Sequence, residues 1–246
     1  MKIHLVMPMA GAGSRFYENG FNIPKPLIEI HEKPFLYWST MSVMKYIELV
    51  DLTFVVLREH IEKNQIDKVI RMYFPNADIV SIPEILPGPV FTACRGSESI
   101  TDDLPVIFND CDHMFKCSML NQLLRDESAL EDGYLLTFES REPQFSYVKY
   151  QKDGRVSGTI EKKVVSNHAI CGAYVFKNID TFRAASQKYM NSCPYQECFM
   201  SGIYNVMCET GKTVQDLLLD YHVEFGTPNE YEKAKKSIYF EELERV

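Results

Sequence analysis

Ile3-His4-Leu5-Val6-Met7-Pro8-Met9-Ala10-Gly11-Ala12-Gly13-Ser14-Arg15-Phe16, with Pro24-Lys25-Pro26 shortly after it, is the stretch on which the reading of the whole chain turns. Residues 3–9 form an apolar run long enough for one buried strand. It opens into a turn with glycine at 11 and 13, where the main chain can approach a bound group and present bare amides to anionic oxygens. Arg15 and Lys25 add two positive charges to the same turn. The flanking prolines stiffen the segment that carries the lysine. Bare amides and two cations above a strand end predict a polyphosphate site.

Two better-known glycine loops do not fit. A dinucleotide-binding G-x-G-x-x-G would need glycine where Phe16 stands. A phosphate loop ending at Gly211-Lys212-Thr213 would need one at Val206. Composition narrows the partners further. The chain has 246 residues, 46% hydrophobic and 24% charged, as expected of a globular protein with a sizeable core. A net charge of -8 argues against nonspecific nucleic-acid binding. No apolar run reaches the roughly 20 residues that cross a bilayer, and Met1-Lys2 leads directly into a strand, so a cytoplasmic protein without a membrane segment is expected. Seven cysteines, odd in number and without a C-x-x-C pair, predict reduced and mostly buried thiols, with neither a disulfide framework nor a zinc site.

Strand-like runs at 3–9, 51–57, 78–82 and 105–109 alternate with helical stretches at 34–48, 61–73 and 92–99. This alternation predicts an α/β fold with a mainly parallel sheet, and ligands in such sheets bind beyond the carboxyl ends of the strands. Trp38 and the methionines near it repeat at helical spacing and read as core packing. Beyond Tyr134 strands dominate, at 134–138, 147–150, 156–160 and 169–176, with Asp153-Gly154 marking a hairpin. Helices are expected at 181–192, 197–209 and 229–236.

Two more stretches carry chemistry. Ile82 to Ala93 is a proline-rich turn entering a helix, a place where Gly88 and Thr92 can hold a base or phosphate edge. Val106 to Asn109 ends in Asp110-Cys111-Asp112, two carboxylates at i and i+2 suited to a hard divalent cation. His113 reads as a local hydrogen-bonding residue, because no second His or Cys stands near it at metal-ligand spacing.

G-x-G-[ST]-R followed by P-K-P resembles the signature of the sugar-phosphate nucleotidyltransferases, which join a nucleoside triphosphate to a phosphorylated metabolite and release pyrophosphate. The likeness runs along essentially the whole chain. It implies a Rossmann-like mixed, mainly parallel sheet flanked by helices, in a single domain 1–246. Residues 1–130 would serve mainly the nucleotide and residues 131–246 mainly the acceptor. By position, Met9, Ala10, Gly11, Ala12, Gly13, Ser14 and Arg15 would hold the triphosphate, and Lys25 would stabilise charge at the α-phosphate. Gly88 and Thr92 would contact the base, with Glu84 as a neighbour. Asp112 would ligate Mg2+ (or Mn2+), with Asp110 secondary, and Glu224 would stand where the family's second metal aspartate is expected. Glu161 would meet acceptor hydroxyls and Lys162 the acceptor phosphate, while Gly172 would let the acceptor approach the strand. The catalytic set so implied is Arg15, Lys25, Asp112 and Lys162.

Three departures stand out: Ala10 for a common glycine, Ser14 for the usual threonine, and Lys163 for the proline that usually follows Glu-Lys. Overall likeness leans to bacterial surface-polysaccharide members, in particular the cytidylyltransferase branch that acts on phosphoglutamine in capsule phosphoramidate synthesis. CTP is therefore the favoured donor, and homo-oligomerisation is left open. Asp110-Cys111-Asp112 also satisfies the D-x-D of nucleotide-sugar glycosyltransferases, but those have no need of G-x-G-S-R with P-K-P. A non-catalytic nucleotide-binding protein would not need Arg15, Lys25 and Asp112 together.

Overall fold

In the computed structural model, which describes residues 1–126 and 130–245, the opening run becomes β1 (Ile3–Pro8). There follow α1 (Ser14–Tyr17), the short β2 (Glu29–Ile30) and β3 (Lys33–Pro34), α2 (Phe35–Met44), β4 (Leu49–Leu57), α3 (Arg58–Asn64) and α4 (Ile66–Tyr73). Then come β5 (Asp78–Ile82), α5 (Pro89–Gly96), β6 (Val106–Asn109), β7 (His113–Lys116) and α6 (Ser118–Asp126). The remainder is β8 (Gly133–Glu139), β9 (Tyr147–Tyr150), β10 (Val156–Ile160), β11 (His168–Phe176), α7 (Ile179–Ser192), α8 (Ile203–Glu209), β12 (Val214–Leu218), β13 (Tyr221–Glu224), α9 (Pro228–Ala234) and α10 (Tyr239–Glu244).

β5, β4, β1 and β6 pair in parallel, and β11 joins β6 antiparallel. β8 runs antiparallel to β11, β12 parallel to β8, and β9 and β10 close the other edge of a nine-stranded mixed sheet. This is the mixed, mainly parallel sheet flanked by helices that the alternation predicts. β1 reads as a continuous apolar run because both its faces are covered. Leu5 and Met7 pack into one apolar cluster, Val6 into a second on the opposite face. A third cluster, with Phe16, Phe35, Trp38, Met114, Phe225 and Phe240, lies beside the antiparallel β7–β13 ribbon. Trp38 is fully buried there and donates Nε1–H to the carbonyl of Ile30 at 2.8 Å, so its core reading holds.

Several boundaries differ from expectation. The helix expected at 61–73 is two, α3 and α4, because Gln65 between them adopts a left-handed φ of 53°. α5 starts three residues earlier than expected, with Pro89 at its first position, where a missing N–H costs nothing. The helix expected at 197–209 begins only at Ile203, after a 3-10 turn at Met200–Gly202. α6, β7, β12 and β13 had no strong signal of their own. No helix among the described residues is long and apolar enough to cross a membrane.

Candidate active site

At the carboxyl end of β1 the chain leaves the sheet through the glycine segment, with Met9 N–H held by the carbonyl of Val55 at 2.9 Å. Gly13 caps α1 with φ 62°, and a Cβ there would stand 3.3 Å from Lys25 Cβ. Glycine thus admits both the left-handed turn and the lysine beside it. Gly11, in contrast, has open space where a side chain would point. Met9, Ala10, Gly11, Ala12 and Gly13 line one wall of a cavity of about 280 Å³. Lys25, Gly88, Thr92, Asp110 and Asp112 line the same cavity. Ser14 and Arg15 border the adjoining cavity of about 770 Å³ instead.

The floor is an ion pair. Lys25 Nζ donates to Asp112 Oδ2 at 2.7 Å. Burial opposes the lysine's charge, but the carboxylate of Asp112 outweighs it and holds the ammonium protonated far above its ordinary range. In return Lys25 keeps Asp112 ionised against the same burial. Asp110 is pushed up to about 7 by burial and by the charge of Asp112, with Lys25 pulling the other way. Each carboxylate is backed by a glycine. A Cβ at Gly172 would stand 2.8 Å from Asp110 Oδ2, and one at Gly226 2.5 Å from Asp112 Oδ2. Asp110 N–H donates to the carbonyl of Gly172 at 3.0 Å, and Phe225 N–H to that of Asp112 at 2.9 Å.

The room at Gly172 is therefore taken by Asp110, and Gly172 borders none of the three cavities around the site, so the structure does not place it against an acceptor. Glu84 is exposed and lies outside the same linings, which include its neighbours Ile85 and Leu86. Glu161 and Lys162 border the 770 Å³ cavity together with Arg15, Lys25 and Asp110. Glu161 Oε1 accepts from Ser146 Oγ at 2.6 Å and from Ser201 Oγ. Lys162 is held at φ 52°, with its N–H on the carbonyl of Phe145 at 3.0 Å and its Nζ 5.6 Å from the centre of the Phe199 ring.

Glu224, at the end of β13, opens with Asp112 and Arg15 onto a third cavity, of about 910 Å³. Burial, then Glu142, pushes its carboxyl up to about 7. Asp110, Asp112, Glu142 and Glu224 thus crowd oxygen donors around few cations, and two of the four are driven towards neutrality. That donor set fits a hard divalent ion, with Asp112 and Asp110 at one end and Glu224 at the other.

Sequence reasoning missed Glu197, Gln144, Glu142 and Gly226. Glu197 borders both smaller cavities because the segment 197–198 is stitched to the turn at 87–90. Val90 N–H donates to the Cys198 carbonyl and Cys198 N–H to that of Pro87, each at 3.2 Å. Reading 197 as helical hid this. Gly226 stands in a G-T-P segment noted for its neighbour Glu224, and the need for a glycine against Asp112 is visible only in three dimensions.

A glycine turn after β1, the Lys25–Asp112 pair and a second cavity bordered by Lys162 thus lie together on an α/β sheet. The chain belongs to the Nucleotidyl transferase family, whose model matches residues 5–239. Among curated proteins, comparison finds no match. Solved structures share the fold at low identity. The nucleoside-diphosphate-sugar pyrophosphorylase of Vibrio cholerae RC9 superposes with a TM-score of 0.80 at 21% identity, over 95% of this chain and 100% of that one. The inositol-1-phosphate CTP transferase of T. maritima gives 0.73 at 16%, over 99% and 94%. A UDP-glucose pyrophosphorylase complexed with UDP-glucose gives 0.74 at 14%, over 98% and 100%.

Proposed function

We propose that this nucleotidyltransferase transfers CMP from CTP to a phosphorylated small metabolite, phosphoglutamine of capsule phosphoramidate synthesis being the favoured acceptor, and releases pyrophosphate. The observation that carries the reading of the site is the Lys25–Asp112 pair, which stands where the glycine-lined cavity meets the wider ones. The triphosphate lies along residues 9–13, with its base towards Gly88 and Thr92. The T. maritima neighbour of the same fold is named for its use of CTP. The acceptor occupies the neighbouring cavity, its phosphate on Lys162 and its polar groups near Glu161 and Gln144. Lys163 in place of the usual proline after Glu161-Lys162 favours an acceptor other than an ordinary hexose phosphate.

An oxygen of the acceptor phosphate forms the new bond to the α-phosphorus, and the bond to the bridging oxygen of pyrophosphate breaks opposite. That oxygen is already ionised, so no strong general base is required. Lys25, kept cationic, and Arg15 offset charge around the reacting phosphates, and positioning does the rest. Asp112 and Glu224, with Asp110 beside them, would hold a divalent ion such as Mg2+, which supplies charge neutralisation to the phosphates.

Pyrophosphate release, measured with each of four nucleoside triphosphates against phosphoglutamine and sugar 1-phosphates, tests the reading. Release with CTP and phosphoglutamine alone is expected. Release with a sugar 1-phosphate would keep the transferase and replace the acceptor.

A further inference from the structure

We propose that His113, Cys171 and His222 form a second metal site, for a borderline-soft divalent cation of the zinc class, next to the carboxylates that suit a hard ion. The three residues are far apart in sequence, which is why spacing alone gives no zinc signal. The fold joins them. His113 opens β7, His222 lies on the strand paired with it, and Cys171 sits on β11 where the pairing with β8 shifts register. All three line the 910 Å³ cavity.

Their geometry is that of a ligand set. One donor atom from each lies within 4.8 Å of the others. His113 Nδ1 and His222 Nε2 stand 3.2 Å apart. In a tetrahedral zinc site with metal–nitrogen bonds near 2.0–2.1 Å, two nitrogens are about 3.3 Å apart. The rings are buried, at 3% exposure for His113 and 5% for the His222 side chain. The nitrogens left over, His113 Nε2 and His222 Nδ1, have no hydrogen-bond partner among the described residues. A pair of buried imidazoles that share one hydrogen bond and leave two nitrogens without one is a costly way to fill a core. With an ion between the inner nitrogens, both outer ones carry hydrogen, and that of His222 faces Glu224 Oε1 at 3.5 Å. This is the carboxylate–histidine–metal arrangement that orients such ligands.

Donor chemistry sorts the two sites. Imidazole and thiolate select zinc-like ions, whereas carboxylates suit magnesium. On binding, the S–H bond of Cys171 breaks, a metal–sulfur bond forms, and the proton leaves to solvent. Three protein ligands leave a fourth position, open to the cavity, for water. Through His222 the ion would also fix Glu224, two residues further along β13.

The test uses the full chain, freed of metal by chelation and titrated with Co2+ as a spectroscopic stand-in for Zn2+ under excess Mg2+. One Co2+ per chain is expected, with tetrahedral ligand-field bands and a thiolate-to-cobalt charge-transfer band. Cys171→Ser should abolish the charge-transfer band and weaken binding at least about tenfold. His222→Gln should weaken it similarly, and Cys117→Ser, at the neighbouring buried thiol, should change neither. Absence of saturable binding to the wild-type chain, or an octahedral spectrum without the sulfur band, overturns the site. Binding that survives both Cys171→Ser and His222→Gln does the same. The wild-type spectrum decides the matter even where a variant fails to fold.

Discussion

On the side we propose for the donor, five consecutive residues, Met9 to Gly13, line the cavity as the chain leaves β1, and Lys25 follows in the next turn. On the proposed acceptor side Gln144, Glu161, Lys162 and Glu197 come from three separate loops. The donor wall is thus a strand end, positioned by main-chain hydrogen bonds of a parallel sheet buried on both faces. The acceptor wall is held by side-chain contacts between loops, such as Glu161 with Ser146 and Ser201. On the proposed reading, a rigid donor wall would serve the triphosphate, while a loop-built wall would let acceptors vary.

The place where both walls meet should be the most sensitive to change. Lys25→Ala and Asp112→Asn each remove one partner of the 2.7 Å pair and leave the other charge half-buried and unbalanced. Turnover should fall by about 100-fold or more in each, as when one charge-stabilising contact is lost from an active site. Steady-state kinetics of pyrophosphate release would show it, and activity near wild type in either variant would dissolve the proposed common floor.

Next comes a change confined to one wall. Lys162→Ala removes the acceptor-side cation and should raise the acceptor KM by about tenfold or more, the scale of one charge-assisted hydrogen bond. The donor KM should stay close to wild type. Because Lys162 sits at φ 52°, Lys162→Gly separates backbone from charge: it relaxes the turn yet should show the same acceptor defect. A donor KM that rises in parallel would mean that the walls are not independent.

The same contrast explains what could be read in the sequence. β1, β5, β9 and β10 announce themselves by apolar or alternating runs. The donor motif is contiguous, so its residues are visible side by side before any folding. Tyr221-His222-Val223-Glu224 is short and half polar, and its pairing with β7 spans a sequence distance that no local pattern covers. His113, Cys171 and His222 lie far apart in sequence, and only strand register brings their donor atoms within 4.8 Å of one another. Gly172 looked like room for a ligand, and it is Asp110 that fills the space.

Glycine substitutions sharpen the donor side. A Cβ at Gly88 would stand 2.6 Å from Cys198 N and 2.9 Å from Cys198 O, with φ at 117°. Gly88→Ala should therefore cost about 1–3 kcal/mol in a urea melt and raise the donor KM, since it displaces the stitched 197–198 segment. Gly11→Ala meets no atom within 4 Å and should leave stability within about 0.5 kcal/mol, so any effect falls on triphosphate binding. Equal melts for the two variants would mean that the turn at 87–90 and segment 197–198 are not rigidly joined.

The smallest effect concerns the far end of the same strands. His4 on β1 is buried, with Nδ1 2.8 Å from Asp51 and Nε2 2.9 Å from Asp102, and so ties β1 to β4 and to the loop before β6. Burial disfavours its charge, but the hydrogen bonds it donates to Asp102 and Asp51, with their charges, prevail and raise its pKa above 6.5. A raised folded pKa means that the folded chain binds the proton more tightly than the unfolded one. The stabilisation is therefore complete below pH 6.5 and is lost as pH rises through the higher folded value. Thermal melts of wild type and His4→Asn should differ most in mildly acidic buffer and converge in alkaline buffer. A gap between wild type and His4→Asn that widened with pH would reverse the sign and remove the clamp.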